Sequence, residues 1–281
     1  MAKKLESIVQ LAAQTAQQIS ANGGNYMAFL TTAAHNFKYS FRDQLLIFAQ
    51  KPDATACAQI EFWNKHSRWV NRGTTGIALL VETERGYRLR YVFDMSDTNS
   101  REGRTIPIWQ MQPQYEGAVI EGLENSYGEL DSKPDLAACL LETAKIIVED
   151  NFSDYYADLC SVKAGSLLEE LDEDSTRAWF KNLLESSVAF MLLTRCGIDA
   201  GEHFTREDFA HVFEFNTPET LSILGAATSD ISEMALREIA TTVLSLYREE
   251  RKQNRTFADR PDTRYIISEK GYRKAERNVV E

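Results

Sequence analysis

The sequence predicts an α+β protein in which helices and a small antiparallel sheet come first and an all-helical region follows. Residues 77–95 alternate apolar and polar side chains, whereas apolar residues beyond 135 recur every three to four positions. Between these two parts the composition changes, and glycines and prolines stand among polar residues. We therefore divide the chain into a mixed domain (1–112), a linker or surface excursion (113–134), an acidic helical domain (135–252) and a basic tail (253–281).

The first elements are helices. Apolar residues at helical spacing predict helices over 3–20 and 41–50, with a shorter one from 25 to 37 between them. Ser40 stands at the N-cap of the third helix, where its hydroxyl can accept an otherwise unpaired backbone amide near Asp43. A short helix is predicted around residues 58–66.

A hairpin is predicted next. Residues 77–83 and 87–95 have the composition and alternation of strands, and Gly86 lies at the turn between them. The apolar residues Ile106, Ile108 and Trp109 are candidates for a third strand.

The last half of the chain has helical periodicity almost throughout. Thr217-Pro218-Glu219 is a typical helix start, with proline at the first helical position. The predicted helices are 135–149, 152–171 with a break at Gly165, 175–195, 205–213, 217–226 and 230–252.

Charge is unevenly distributed along the chain. The net charge is -11, but residues 1–112 carry 13 lysines and arginines against 9 acids, and residues 113–246 carry 8 against 26. The four cysteines are far apart and form no C-x-x-C pair, which favours reduced thiols. With no apolar run of about 18 residues, we expect a cytoplasmic protein that does not enter a membrane.

The segment from Tyr39 to Asp97 combines cations, amides and tryptophans. Cations neutralise phosphates and flat rings stack on bases, so this composition is typical of a surface that holds a nucleic-acid strand without reading its sequence. Trp63 and Trp69 have two interpretations, stacking on bases or packing in the core. At least one is expected in the core, and Trp63 is the better candidate.

The same segment resembles the N-terminal single-stranded-DNA-binding domain of ArdC-type antirestriction proteins. A related domain opens large helicase-methylase proteins of conjugative elements. The shared pattern is Tyr39-Ser40, Leu46-Ile47, Gln50, Pro52, Ala54-Thr55, Trp63, Val70, Arg72-Gly73 and Gly76-Ile77, and it covers about residues 30–100. Asp43 departs from the asparagine that is frequent in the family.

The resemblance implies a single-stranded-DNA-binding module of a mobile genetic element, related to antirestriction or conjugation. Single-stranded DNA is then the expected partner. The predicted nucleic-acid-binding residues are Tyr39, Ser40, Arg42, Gln50, Lys51, Lys65, Arg68, Trp69, Arg72 and Thr74.

No enzymatic centre is predicted. ArdC-type proteins carry a second domain that resembles a zinc metalloprotease with H-E-x-x-H, but the four histidines of this chain form no such pair. Glu185 lies where that family places its third ligand. We expect no metal, cofactor or catalytic residue, and interpret Asp94 and Asp97 as turn residues. The alternative function is an anti-defence or scaffold protein that binds a protein partner through its acidic helical region.

Overall fold

A computed structural model describes residues 2–84, 86–100 and 108–258, and it has the predicted α+β architecture. The helices in this part of the chain are α1 (Ala2–Ser20), α2 (Gly23–His35), α3 (Phe41–Gln50), α4 (Ile60–Lys65), α5 (Glu116–Tyr127), α6 (Leu136–Val162), α7 (Glu173–Arg195) and α8 (Pro218–Ala258). The strands are β1 (Cys57–Ala58), β2 (Trp69–Val70), β3 (Ile77–Thr83), β4 (Gly86–Asp94) and β5 (Thr98–Asn99). Short 3-10 helices are Met95–Asp97, Pro113–Tyr115, Leu167–Glu170, Ala200–Glu202 and Glu207–Glu214.

The predicted helices of the first 65 residues are confirmed. The N-cap of α3 is Ser40, whose Oγ accepts the backbone N–H of Asp43 at 3.4 Å. Asn22 caps α2 in the same way by accepting the N–H of Asn25 at 3.0 Å.

The sheet is small and antiparallel. Strand β4 lies between β1 and β3, while β2 and β5 form a separate two-stranded ribbon. The predicted hairpin of β3 and β4 is confirmed, with Ile77 opposite Val92 and Thr83 opposite Gly86. Gly86 has a φ of 100°, a conformation that favours glycine at this turn.

Ile108 and Trp109, two of the candidates for a third strand, are not in a strand. The other candidate, Ile106, lies outside the described residues. Trp109 instead packs in the larger hydrophobic core and is 5% exposed. An alternation of apolar residues is compatible with a strand, but also with an irregular segment whose tryptophan ring packs between helices, so the sequence could not distinguish the two.

Helix α5 replaces part of the predicted linker. Val119, Ile120 and Leu123 are buried, and the helix packs against α6 and α8. Of the glycines that suggested a loop, Gly122 allows this packing, because a Cβ atom there would lie 3.1 Å from Thr242 Oγ1. The three buried side chains of α5 therefore belong to the larger hydrophobic core.

Helix α8 is continuous where two helices were predicted. Its polar residues near position 228 do not end the helix, because they face other elements: Ser229 Oγ donates to Gln44 Oε1 of α3 at 2.8 Å. The segment predicted as a tail from residue 253 begins inside α8, and residues 259–281 lie outside the described part.

Two hydrophobic clusters stabilise the molecule. The smaller one joins α1 and α3 to the β3–β4 hairpin. The larger one extends from Ile19 to Val243 and includes α2, α5, α6, α7 and α8. This cluster contains residues from both sides of the predicted domain boundary at 112. The division into domains therefore stays a prediction, because the two clusters do not separate at that boundary. Among the described helices, none is both long enough and apolar enough to cross a membrane.

Candidate nucleic-acid interface

The two tryptophans of the basic segment have opposite environments. Trp63 is 2% exposed, and its Nε1–H donates to Phe93 O at 3.0 Å and to Ala58 O at 3.1 Å. Trp69 is 46% exposed. The prediction that Trp63 packs in the core is confirmed, and Trp69 is left as the ring that can meet a ligand.

Two predicted contact residues hold the fold together instead of facing solvent. Gln50 pairs with the backbone of Ala78 through two hydrogen bonds of 2.9 Å, which fix α3 to β3. Arg68 is 9% exposed, and its guanidinium donates to Thr98 Oγ1 at 2.8 Å and to Thr98 O at 3.0 Å. Both side chains therefore have partners within the protein, and Arg68 is buried while Gln50 is partly exposed.

Three further predicted residues also have structural partners. Lys51 forms a half-buried ion pair of 2.9 Å with Asp97, and the hydrogen bond to Asp97 raises the lysine pKa. Tyr39 donates its hydroxyl to Cys57 O at 2.8 Å, and burial raises its pKa. Ser40 is the cap of α3.

Arg42 lies apart from the rest, beside the hairpin. Its guanidinium is centred 5.0 Å from the ring of Tyr87, and one terminal nitrogen donates to the Tyr87 hydroxyl at 3.1 Å. On the same strand Arg90 pairs with Asp43 at 3.0 Å. Burial raises the pKa of Asp43 and the two arginines counteract this effect. Neither arginine lines the depression that Trp69 lines.

The remaining predicted residues lie on α4, on β2 and in the turn after β2, and α4 and β2 pack against each other. Lys65 ends α4 and is exposed, and Arg72 follows β2 and is exposed. Trp69 and Arg72 line one surface depression of about 280 Å³, together with Asn71 and Asn99. Thr74 closes the turn after it, where its N–H donates to Asn71 O at 3.2 Å.

Sequence reasoning missed two side chains of this region. Phe62 is 43% exposed, and its ring packs against that of His66 in a tilted arrangement with the centroids 4.3 Å apart. The missing signal was the orientation of α4. Neighbours in a helix are about 100° apart around its axis, so the burial of Trp63 does not fix whether Phe62 is exposed. We define the α4–β2 surface by Phe62, Lys65, His66, Trp69 and Arg72.

The carboxylate of Asp94 at the end of β4 acts in the turn, as predicted, whereas that of Asp97 pairs with Lys51. Asp94 is fully buried, and its oxygens accept the N–H groups of Thr55 and Ala56 at 2.8 Å and of Ser96 at 2.9 Å. These bonds hold the chain before β1 against the end of β4. Within residues 2–84, 86–100 and 108–258, no three His, Cys, Asp or Glu side chains lie close enough to hold a metal ion. Glu185 is half-buried, and burial raises its pKa.

Comparisons with known proteins give one distant likeness. No protein-family model matches the chain, and no curated protein matches it significantly. The chain is similar to a metal-free crystal structure of the antirestriction protein ArdC from the R388 plasmid, at 11% identity and a TM-score of 0.38, over 72% of this chain and 86% of that one. A TM-score this low carries no argument about function, so the proposals below rest on the residues of this chain.

Proposed function

We propose that the protein binds single-stranded DNA, with little sequence preference, through the α4–β2 surface. The observation that carries this proposal is the exposed indole of Trp69 beside Arg72 in one depression. The exposed part of this ring is a large apolar face, and such a face gains free energy when it is removed from water.

The chemistry of the surface fits an unpaired strand. Phe62 and Trp69 offer ring faces to bases, and base–aromatic stacking contributes about 1–3 kcal/mol per base whatever the base. Lys65 and Arg72 can neutralise phosphates, which releases counterions. The side chains of Asn71 and Asn99 can donate hydrogen bonds to the strand. Most of these contacts do not depend on the base, so weak sequence preference follows.

The local charge also favours a polyanion. Between residues 57 and 76 three lysines and arginines stand against a single acid, Glu61, although the whole chain has a net charge of -11. The acidic helical region repels a strand, which confines it to the basic part and keeps the overall affinity modest.

We further propose that the protein acts by binding rather than by catalysis, in the antirestriction or conjugation system of a mobile genetic element. This assignment rests on the motif that runs from Tyr39 to Ile77. The cytoplasm is the compartment in which such a system meets single-stranded DNA.

The test is fluorescence anisotropy of the full chain with a labelled single-stranded oligonucleotide, at about 50 mM salt, where phosphate binding is strong. Trp69→Ala should weaken binding by about 1–3 kcal/mol for every sequence. Arg72→Ala should reduce the slope of log affinity against log salt by about 0.7. The matched controls are Phe213→Ala, an exposed ring elsewhere, and Lys145→Ala, an exposed cation on α6.

Equal affinities of Trp69→Ala and Phe213→Ala would refute the proposed surface. Failure of the unmodified chain to bind any oligonucleotide would refute DNA binding itself.

A second candidate function rests on the acidic face of α6. Asp150, Asp154 and Asp158 are exposed and recur every four residues, so they lie on one side of the helix. A basic protein partner fits this face. Its complex should be lost on Asp154→Lys and retained on Trp69→Ala, which a pull-down with a tagged chain measures.

A further inference from the structure

A second concave site lies between the mixed region and the helical region. Two adjoining cavities of about 300 and 760 Å³ share His35, Thr55, Ile108, Trp109 and Arg195 in their walls. Because these five residues line both, the two cavities lie side by side, and we call them together the Arg195 cleft. Volumes of this size are usual for small-molecule sites.

The described walls of the Arg195 cleft contain no aspartate and no glutamate side chain. This is notable in a chain with 42 acids. The cations Lys38, Arg68 and Arg195 line the cleft together with His35. Asp94 lies nearby, but both of its oxygens are turned to backbone N–H groups. The cleft therefore has the electrostatic character of an anion site.

Arg195 is the central group of this site. It is 8% exposed, its guanidinium is centred 3.5 Å from the ring centroid of Trp109, and one terminal nitrogen donates to Trp109 O at 3.0 Å. In the described part of the chain, no carboxylate lies within ion-pair distance of Arg195. Burial lowers its pKa to about 10, so it remains charged at neutral pH. A buried charge without a counter-ion is costly, and an anionic ligand would supply that counter-ion.

His35 adds a group that responds to an anion. It is half-buried and lines both cavities. Its pKa is lowered first by burial and then by the charge of Arg195, while Asp94 acts in the opposite direction. An anion placed between His35 and Arg195 would raise the pKa of His35 and gain a hydrogen bond from the ring.

The two cavities differ in polarity. The larger one carries the polar side chains of Arg68, Ser96, Thr98 and Gln110. The smaller one is walled by the aromatic and aliphatic side chains of Phe37, Phe62, Trp63 and Leu244. A ligand that fills both therefore has an anionic end and a flat or apolar end.

We propose that the Arg195 cleft binds one nucleotide, with its phosphate at Arg195 and His35 and its base in the smaller, aromatic cavity. A phosphate fits better than a carboxylate, since its second negative charge matches a wall that has several cations and no acid. The nucleotide has two sources, a free nucleoside monophosphate or the phosphorylated end of a strand. The free form is independent of the proposed strand binding, and the strand-end form rests on it.

Isothermal titration calorimetry of the full chain with deoxyadenosine monophosphate, deoxyadenosine and inorganic phosphate tests the site. The monophosphate should bind most tightly, because it occupies both cavities. Arg195→Gln and His35→Gln should each weaken binding of the monophosphate, by about tenfold or more for Arg195. Lys145→Ala, which removes an exposed lysine of α6 that lines neither cavity, should leave it unchanged.

Absence of heat with the monophosphate at about 5 mM, a concentration at which a Kd of about 1 mM is visible, overturns the proposal. Equal affinity of Arg195→Gln and the parent also overturns it. If Arg195→Gln does not give a cooperative thermal transition, His35→Gln decides in the same way.

The two sources are separated by anisotropy with oligonucleotides that carry a 5′-phosphate or a 5′-hydroxyl. A preference for the phosphorylated strand that disappears in His35→Gln assigns the strand end. Equal binding of both strands, alongside monophosphate binding, assigns the free nucleotide. Oligonucleotide binding without monophosphate binding overturns the cleft proposal and leaves the α4–β2 surface standing.

Discussion

The carboxylate of Asp94 gives the sharpest test of how this fold is held together. Its two oxygens satisfy three backbone N–H groups at 2.8–2.9 Å in a fully buried position. In Asp94→Asn the side chain keeps a single acceptor oxygen, so at least one of the N–H groups meets an amide donor. In Asp94→Ala all three lose their acceptor.

The expected cost follows from these bonds. A hydrogen bond to a charged group contributes about 1.5–3 kcal/mol, and a buried donor left unsatisfied costs about 1–3 kcal/mol. We expect Asp94→Asn to lower the free energy of unfolding by about 2–3 kcal/mol and Asp94→Ala by about 3–5 kcal/mol. Urea titration followed by circular dichroism measures both. The control is Asp97→Asn, which breaks one partly exposed ion pair and should cost less than about 1 kcal/mol.

The same residue predicts a pH dependence. Burial alone would raise the pKa of Asp94, but hydrogen bonds from Ala56, Ser96 and Thr55 outweigh burial and hold the pKa below its usual value. The stabilisation is therefore present above the unfolded pKa of about 3.9 and is lost as the pH falls through the lower folded pKa. The difference between the parent and Asp94→Asn should shrink in that acidic range. If Asp94→Ala unfolds at the same urea concentration as Asp97→Asn, the reasoning is wrong.

Three other substitutions probe the packing. Gly225→Ala in α8 should lower the free energy of unfolding by about 1–3 kcal/mol despite the helix preference of alanine, because the new Cβ atom would lie 2.2 Å from the Phe41 ring. In Gly117→Ala of α5 the new Cβ atom would meet no atom within 4 Å, so the free energy of unfolding should rise by up to about 1 kcal/mol. Urea titration of both variants checks these two changes of opposite sign. Gln50→Leu removes two hydrogen bonds to Ala78 and should speed hydrogen exchange of the Ala78 amide, whereas unchanged exchange would contradict the role given to Gln50.

Local signals in the sequence were sufficient for much of the fold. Ser40 predicted the start of α3 because a cap depends on residues only three positions away. Alternation predicted β3 and β4 for the same reason. By contrast, the role of a glycine depends on what faces it. Gly122 looked like a loop residue, and its function of letting α5 approach α8 depends on Thr242.

The candidate site was predicted only in part, since side-chain direction is a long-range property. Gln50 bonds to a residue 28 positions away and Arg68 to one 30 positions away, so nothing near them in sequence showed that they were occupied. The Arg195 cleft was invisible for the same reason, because Arg195 and Trp109 are 86 residues apart. Residue types were sufficient to predict a basic, aromatic region, but not to predict which of its side chains are exposed and which are bound within the fold.

At the short ribbon of β2 and β5, the number of residues before Trp69 decides which side chains are exposed, more than the identity of those residues does. Arg68 is buried and its neighbour Trp69 is exposed, so successive positions face opposite sides of the chain. Inserting or deleting one residue before Trp69 would exchange these roles, turning the indole inward and the cation outward. Substitutions at exposed positions alter one contact, whereas a change of length reverses every contact that follows. Sequences that preserve this arrangement are therefore expected to vary in residue type while keeping the spacing from Trp63 to Trp69 constant.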